Sequence, residues 1–478
     1  MASDDFVDSA SFRDPSWHVY RVDGQIYRTV TDRALDDFEA LRASGLYDEL
    51  AAAGKVVAAK IVEGEVPEPL RCEARVVLKH PTLPFISYPY EWSFAALKAA
   101  ALHHLEVHQA ALERGMTLSD ASAYNIQFIG ARPIFIDTLS FRPYREGEYW
   151  TGHRQFCEQF LIPLLLRAMF GTPHNDWYRG AMEGIRTADF TRLLPWHRKL
   201  SWNVLSHLVL PTAFESSARR GGISVSSSAL SSAKFPLASY QGLLRRLHQW
   251  IAGLAPRDKR PTAWQNYSLE NTYGPEEAEA KRAFVRDFIE AEKPAMVWDL
   301  GCNAGDYSEL ALEAGAGYAV GWDFDQGALD AGFARASERN LAFTPLYFDA
   351  NNPAPDQGWA QEERHGMGAR GPVDAVLALA FVHHLAIAKN LPLLQVARWL
   401  TSLARSGVVE FVPKEDQMVQ AMLKLRDDIF LDYTLERFLD CLGVYAAIKR
   451  IEPINGRQLI RFSSNSACAP KKHKDGQA

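Results

Sequence analysis

The stretch from Val297 to Asp325, V-W-D-L-G-C-N-A-G-D-Y-S-E-L-A-L-E-A-G-A-G-Y-A-V-G-W-D-F-D, restricts the fold of this chain more than any other. Val297, Trp298 and Leu300 predict a short buried strand that ends in the loop Gly301-Cys302-Asn303-Ala304-Gly305. A helix pattern follows from about Asp306, with Leu310, Ala311 and Leu312 on or near its buried side and Gly315 as its stop. Tyr318 to Trp322 predicts a second apolar strand, which ends on Asp323. Strand, glycine loop, helix, strand and acid form the first half of a dinucleotide-type βαβ unit and imply an α/β domain. The glycines allow a ligand close to the backbone at a helix N-terminus, and a carboxylate at Asp323 can accept from both hydroxyls of a ribose.

The loop spacing narrows the ligand. A nicotinamide or flavin fingerprint is G-x-G-x-x-G, which brings a pyrophosphate onto the helix. Here the pattern is D-x-G-x-x-x-G, from Asp299 to Gly305. An acid before the first glycine suits a cationic ligand with an amino group and a sulfonium better than a diphosphate. This combination resembles the first motif of the class I S-adenosylmethionine (SAM)-dependent methyltransferases. The resemblance implies a Rossmann-like seven-stranded sheet and SAM as cofactor. Asp299, Gly301, Asn303 and Gly305 would then hold the methionine moiety, Asp323 the ribose and Asp349 the adenine amino group, with Ala380 also lining the site.

The chain continues as that family requires. Leu341 to Phe348 predicts a third strand before Asp349, Val373 to Ala380 a fourth and Gly407 to Val412 a fifth. Phe438 to Ile451 and Gln458 to Phe462 would supply the last helix and an antiparallel hairpin. Pro353 to Gly371 reads as a surface insertion. His383 and His384 follow the fourth strand at the ligand crevice, either as general bases or as a satisfied pair at a strand end. Tyr267, Asn271 and Tyr273 precede the domain's first helix, as cofactor or substrate contacts or as aromatic packing. The resemblance covers about residues 258–462, and the two-part layout also resembles a bacterial family of nodulation-associated methyltransferases.

At 478 residues the chain exceeds one ordinary core, so two domains are expected. Residues 12–215 would form a helix-rich α+β domain, 216–257 a Ser/Gly-rich linker with a connecting helix, and 463–478 a disordered tail. The net charge of −6 argues against a dedicated nucleic-acid binder. Five cysteines (Cys72, Cys157, Cys302, Cys441, Cys468) lack metal-ligand spacing and suit a cytoplasmic protein, with Cys302 filling its loop as a small side chain. Phe160 to Phe170 is apolar but short and contains Pro163 and Arg167, so a buried helix is expected and no membrane span.

In the first domain, Trp17 to Val30 alternates around Asp23-Gly24 and predicts a hairpin. Val56 to Val62 and Ala74 to Leu78 predict further strands, and Ala95 to Gly115 a long helix carrying His103, His104 and His108. Those histidines lack an H-E-x-x-H order and are expected to be solvated or packed in the core. Asp120 and Asn125 lie in a loop ahead of a predicted hairpin that ends on Asp137. This segment resembles the catalytic region of a degenerate protein-kinase-like fold. The resemblance implies a base-like Asp120, metal ligands at Asn125 and Asp137, and a strand lysine at Lys60 or Lys79. His-Arg before Asp120, Phe-Gly after Asp137 and a glycine-rich phosphate loop are missing. A hairpin whose polar residues satisfy turns is the alternative.

The function expected from sequence is methyl transfer from SAM to an unidentified acceptor, a small molecule or protein before a nucleic acid, with the first domain accessory. A kinase-like phosphotransferase fused to a SAM-binding domain and a non-catalytic SAM sensor are the alternatives.

Overall fold

The computed structural model describes residues 7–67, 70–71, 74–210, 235–258, 274–424 and 427–465. The chain divides into two units, Met1–Lys259 and Arg260–Ala478. Expectations for the Ser/Gly-rich stretch up to residue 234, for Tyr267, Asn271 and Tyr273, and for the tail beyond Asn465 lie outside the described residues.

In the first unit, Asp23 and Gly24 take positive φ and turn β1 (Trp17–Val22) into β2 (Gln25–Val30). β4 (Val76–His80) pairs with β2, and β3 (Lys60–Ile61) covers β4, giving the antiparallel order β1-β2-β4-β3. The strand expected over Val56 to Val62 thus shrinks to two residues. Val56 and Val57 pair instead with Phe135, Val57 donating its N–H to the Phe135 carbonyl at 2.8 Å. Helix α1 (Asp32–Ala43) places Ala34 and Phe38 against Val30 and Leu78.

Helix α2 (Leu46–Ala52) and the long α3 (Phe94–Glu113) follow, α3 capped by the Ser93 hydroxyl, which accepts the Ala96 N–H. Its three histidines are buried. His103 contacts the Lys55 carbonyl at 2.8 Å, His108 the Thr117 hydroxyl at 2.9 Å, and His104 sits among Trp150, Phe156 and Phe160. β5 (Met116–Leu118) pairs with β8 (Phe141–Pro143), and β6 (Ile126–Ile129) with β7 (Arg132–Phe135), all antiparallel. Helix α4 (Leu237–Ala252), expected as a connector, belongs to this unit. Lys98 of α3 donates to the Ala252 and Leu254 carbonyls at 2.7 and 2.9 Å, and Tyr240 reaches His108 at 3.3 Å.

The second unit is built on a seven-stranded sheet. β9 (Met296–Leu300), β10 (Tyr318–Asp323), β11 (Phe343–Tyr347), β12 (Val373–Ala378) and β13 (Ala404–Phe411) run parallel. β14 (Ala446–Ile454) and β15 (Arg457–Ser464) form an antiparallel hairpin, in which β15 pairs with β13. The order β11-β10-β9-β12-β13-β15-β14 is the methyltransferase-type α/β sheet expected from sequence, with the hairpin running to Ser464. β14 forms one edge and carries a register shift between Ile448 and Arg450.

Helix α5 (Pro275–Glu292) starts with proline in its first turn and packs Phe284, Val285, Phe288 and Ile289 against Val297, Leu377 and Val408. Helices α6 (Asp306–Glu313), α7 (Gln326–Glu338), α8 (Leu393–Leu403) and α9 (Leu435–Tyr445) complete the layers, and the expected surface insertion includes a short helix at Met367–Arg370. The strand order reverses between β9 and β12, and sheets of this kind take ligands in a crevice beyond the carboxyl ends of such strands. Among the described residues, no helix is long and apolar enough to cross a membrane.

Candidate functional site

The loop after β9 is held in a shape that few side chains tolerate. Gly301 and Gly305 have φ of 73° and 85°, and Asn303 between them has φ of 50°. A Cβ on Gly305 would overlap the Phe343 ring of β11, and one on Gly301 would lie 3.2 Å from Phe381. The Gly301 N–H donates to the Trp322 carbonyl at 2.8 Å, tying the loop to β10. Cys302 is buried, and its burial raises the thiol well above its ordinary range, so it stays protonated and fills space.

Asp323, at the carboxyl end of β10, clamps this loop. Its Oδ2 accepts the Asn303 N–H and its Oδ1 the Asp325 N–H, each at 2.8 Å. Burial pushes its pKa up to about 6, against the lowering effect of these amide bonds. Both oxygens retain lone pairs for a ligand hydroxyl. Phe324 follows directly and is 56% exposed, a broad apolar face beside a polar clamp. Sequence reading passed over it, although an aromatic residue right after a strand-end acid was a legible signal. Half-buried Asp349 accepts the Asn351 N–H at 2.9 Å.

Asp299 is 2% exposed, and its Oδ2 accepts the Ser308 hydroxyl at 2.7 Å, which ties the end of β9 to the first turn of α6. Burial pushes it up to about 7, with the Ser308 bond opposing.

Across the switch point, Ala380 has φ of 50° and donates its N–H to Glu410 Oε2 at 2.9 Å. Glu410, on β13, is fully buried and also missed by sequence reading, although it is the lone acid in V-V-E-F-V. His383 and His384 begin the next turn with ring centroids 4.2 Å apart. Burial, then His384, holds His383 well below the ordinary range, and burial brings His384 to about 4. Both rings are therefore neutral near pH 7.

The first unit gathers the other predicted set. The Asn125 amide donates to both Asp120 oxygens at 3.2 Å and to Asp137 Oδ2 at 3.4 Å. Burial, then Asp137, pushes Asp120 up to about 7. The cation is neither Lys60 nor Lys79, which are exposed cross-strand partners. It is Arg28 of β2, which donates to Asp137 Oδ1 at 2.7 Å and lies over the Trp17 ring at 4.2 Å. The metal-ligand expectation for Asn125 and Asp137 therefore meets a carboxylate already paired with a guanidinium. Among the described residues, no group of three or more His, Cys, Asp or Glu could hold a metal ion.

No family model matches the chain. Among solved structures, it is similar to magnesium protoporphyrin IX methyltransferase (ChlM) from Synechocystis PCC 6803 at 18% identity and a TM-score of 0.29, covering 40% of this chain and 84% of that one. N-methyltransferase NodS from Bradyrhizobium japonicum WM9 matches at 10% identity and 0.29, over 40% and 97% of the two chains. The bifunctional kinase-methyltransferase WbdD matches at 16% identity and 0.29, over 46% of each. At these scores the neighbours add nothing to the topology seen directly. The nodulation protein NoeA of Rhizobium meliloti (strain 1021) is 44% identical over 456 residues, 95% of each chain. The chain belongs to the family of the nodulation protein NoeA.

Proposed function

We propose that this chain is a SAM-dependent methyltransferase with its cofactor at the crevice beyond β9 and β12. The observation that carries this reading is the left-handed glycine loop clamped to Asp323 at the sheet's switch point. The residues fit the cofactor. The left-handed glycines let the loop pack on Phe343 and Phe381 and fold its backbone round the strand end, Asp323 has acceptor capacity for a ribose diol, Phe324 offers a face for adenine, and Asp349 an acceptor for its amino group. SAM supplies an electrophilic methyl group on a sulfonium, and the displacement demands mainly that donor and acceptor be aligned. The loop, Phe324 and the Ala380 turn provide that orientation. Neutral His383 or His384 can take a proton from the acceptor, as weak bases suited to a proton that leaves late.

The acceptor is a small molecule or a protein rather than a nucleic acid, in line with the net charge of −6. The first unit selects it, and the enzyme works in the cytoplasm. Purified protein is titrated with S-adenosylhomocysteine by calorimetry and then given labelled SAM with fractionated lysate of its host. Binding that is lost in Asp323→Ala, together with transfer of label, supports the enzyme. Binding without labelled product would favour the SAM sensor, and no binding would end the reading.

A further inference from the structure

Glu410 is 0% exposed, yet it is an acidic side chain with a basic partner on each of its two oxygens. Its Oε2 faces Lys281 Nζ of α5 at 2.7 Å and its Oε1 faces Arg457 Nη1 of β15 at 3.2 Å. Arg457 also reaches Asp416, at 2.8 Å, ahead of the helix Gln417–Leu423. Lys281, Glu410 and Arg457 are thus buried together, with half-buried Asp416 at their edge. Buried ion networks of this kind seldom add more stability than apolar side chains of the same volume, because desolvation cancels the Coulomb gain. Stability alone does not explain this one, whereas geometry does.

Glu410 Oε2 also accepts the Ala380 N–H, and Ala380 is an alanine in the left-handed region, a conformation costly for any residue with a Cβ. The next residue, Phe381, has its ring where a Cβ on Gly301 would touch it, and it stacks on Trp399 with centroids 6.3 Å apart. A chain of contacts therefore runs from the buried carboxylate, through one backbone N–H, to the floor of the glycine loop.

We propose that Glu410 is a positioning residue for the cofactor crevice: by accepting the Ala380 N–H it keeps the turn after β12 left-handed and seats Phe381 against the Gly301–Gly305 loop. The inference rests on the SAM-binding reading above. Lys281 and Arg457 have a supporting part, holding the carboxylate in place from two sides.

The test is the affinity of the full chain for S-adenosylhomocysteine, measured by calorimetry with a parallel melting curve. In Glu410→Met no side-chain acceptor remains, the Ala380 N–H loses its partner, and affinity is expected to fall at least tenfold. Adding Ala380→Gly, which enters the left-handed region without penalty, is expected to recover about fivefold of that loss. Ala380→Val leaves the ion network intact and attacks the same turn, so it is expected to weaken binding to a similar extent, which keeps the test valid should Glu410→Met melt early. Unchanged affinity in Glu410→Met would overturn the proposal. So would a loss that Ala380→Gly does not relieve, since the carboxylate would then serve only to balance charge, and so would full binding by Ala380→Val. If the wild-type chain binds no S-adenosylhomocysteine, the SAM-binding reading fails first and takes the proposal with it.

Discussion

Asp323 in the second unit and Asp137 in the first both follow or end a strand, and both are buried, but they are satisfied in opposite ways. Asp323 is held by two backbone N–H groups, which fix its position and leave its charge and spare lone pairs available to a ligand. Asp137 is held by the Arg28 guanidinium, which fixes its position and cancels its charge. Amide clamps prepare a carboxylate for an incoming partner, whereas a buried arginine already is that partner. The same residue type is therefore left with spare acceptors in one unit and matched by a cation in the other.

The largest expected contrast is in acid. His80, His103, His104, His108, His153, His174 and His207 of the first unit are all held below their ordinary range, with burial as the leading cause. The unfolded chain takes up protons that these buried rings refuse, so stability present above about pH 6.5 is lost as pH falls. Each such group contributes up to about 1.4 kcal/mol per pH unit in that window. In the first unit Asp120, raised to about 7, opposes these seven rings; in the second, His383 and His384 act the same way, but Asp299 and Asp323 oppose them. Their pKa values are raised to about 7 and about 6, so their contribution is greatest at low pH and is lost as pH rises through that range. Hydrogen exchange read separately in the two units at pH 7.5 and 5.5 should show the first unit losing protection much faster. Equal losses would erase the contrast.

Next in size is Arg28→Met. Leaving Asp137 without its buried cation should cost the first unit about 3–5 kcal/mol, read from denaturant unfolding. A cost under about 1 kcal/mol would mean that Asp137 does not depend on that cation.

S-adenosylhomocysteine at about a hundred times its dissociation constant should stabilise the second unit by ~2.7 kcal/mol, while Mg-ATP leaves the melting of the first unit unchanged. Stabilisation by Mg-ATP would reopen Asp120, Asn125 and Asp137 as a phosphotransfer site. The smallest effect concerns the second unit alone: Phe324→Ala should weaken S-adenosylhomocysteine binding by about 1–2 kcal/mol through lost stacking, without changing the melting temperature of the free protein.

The second unit was more legible in the sequence than the first, for a physical reason. Gly301, Gly305 and Asp323 announce themselves locally, because a left-handed loop requires glycine and a strand-end acid follows within about one βαβ turn of chain. Asp299 has a spacing that fits a ligand contact, but its hydrogen-bond partner, Ser308, lies nine residues on, on a helix face that sequence alone does not orient. Arg28 and Glu410 were invisible for a related reason. Their partners lie 109 and 129 residues away, and a single Arg in a strand or Glu in an apolar run does not name its counter-charge. Lys60 and Lys79 were attractive because they match a short pattern, but only the pairing of β2 with β4 shows which strand supplies the cation.

The outer strand of the second unit has a consequence for assembly. β14 carries Lys449 and Arg450 among its exposed positions, a proline at 453 that lacks an N–H, and a register shift beside Arg450. Each of these spoils the ladder that another chain's strand would need. A second molecule is therefore hindered from lengthening the sheet across this edge, and the protein should resist fibre-like stacking there when it is concentrated. Replacing Lys449 and Arg450 by threonine would take away the charged part of that barrier.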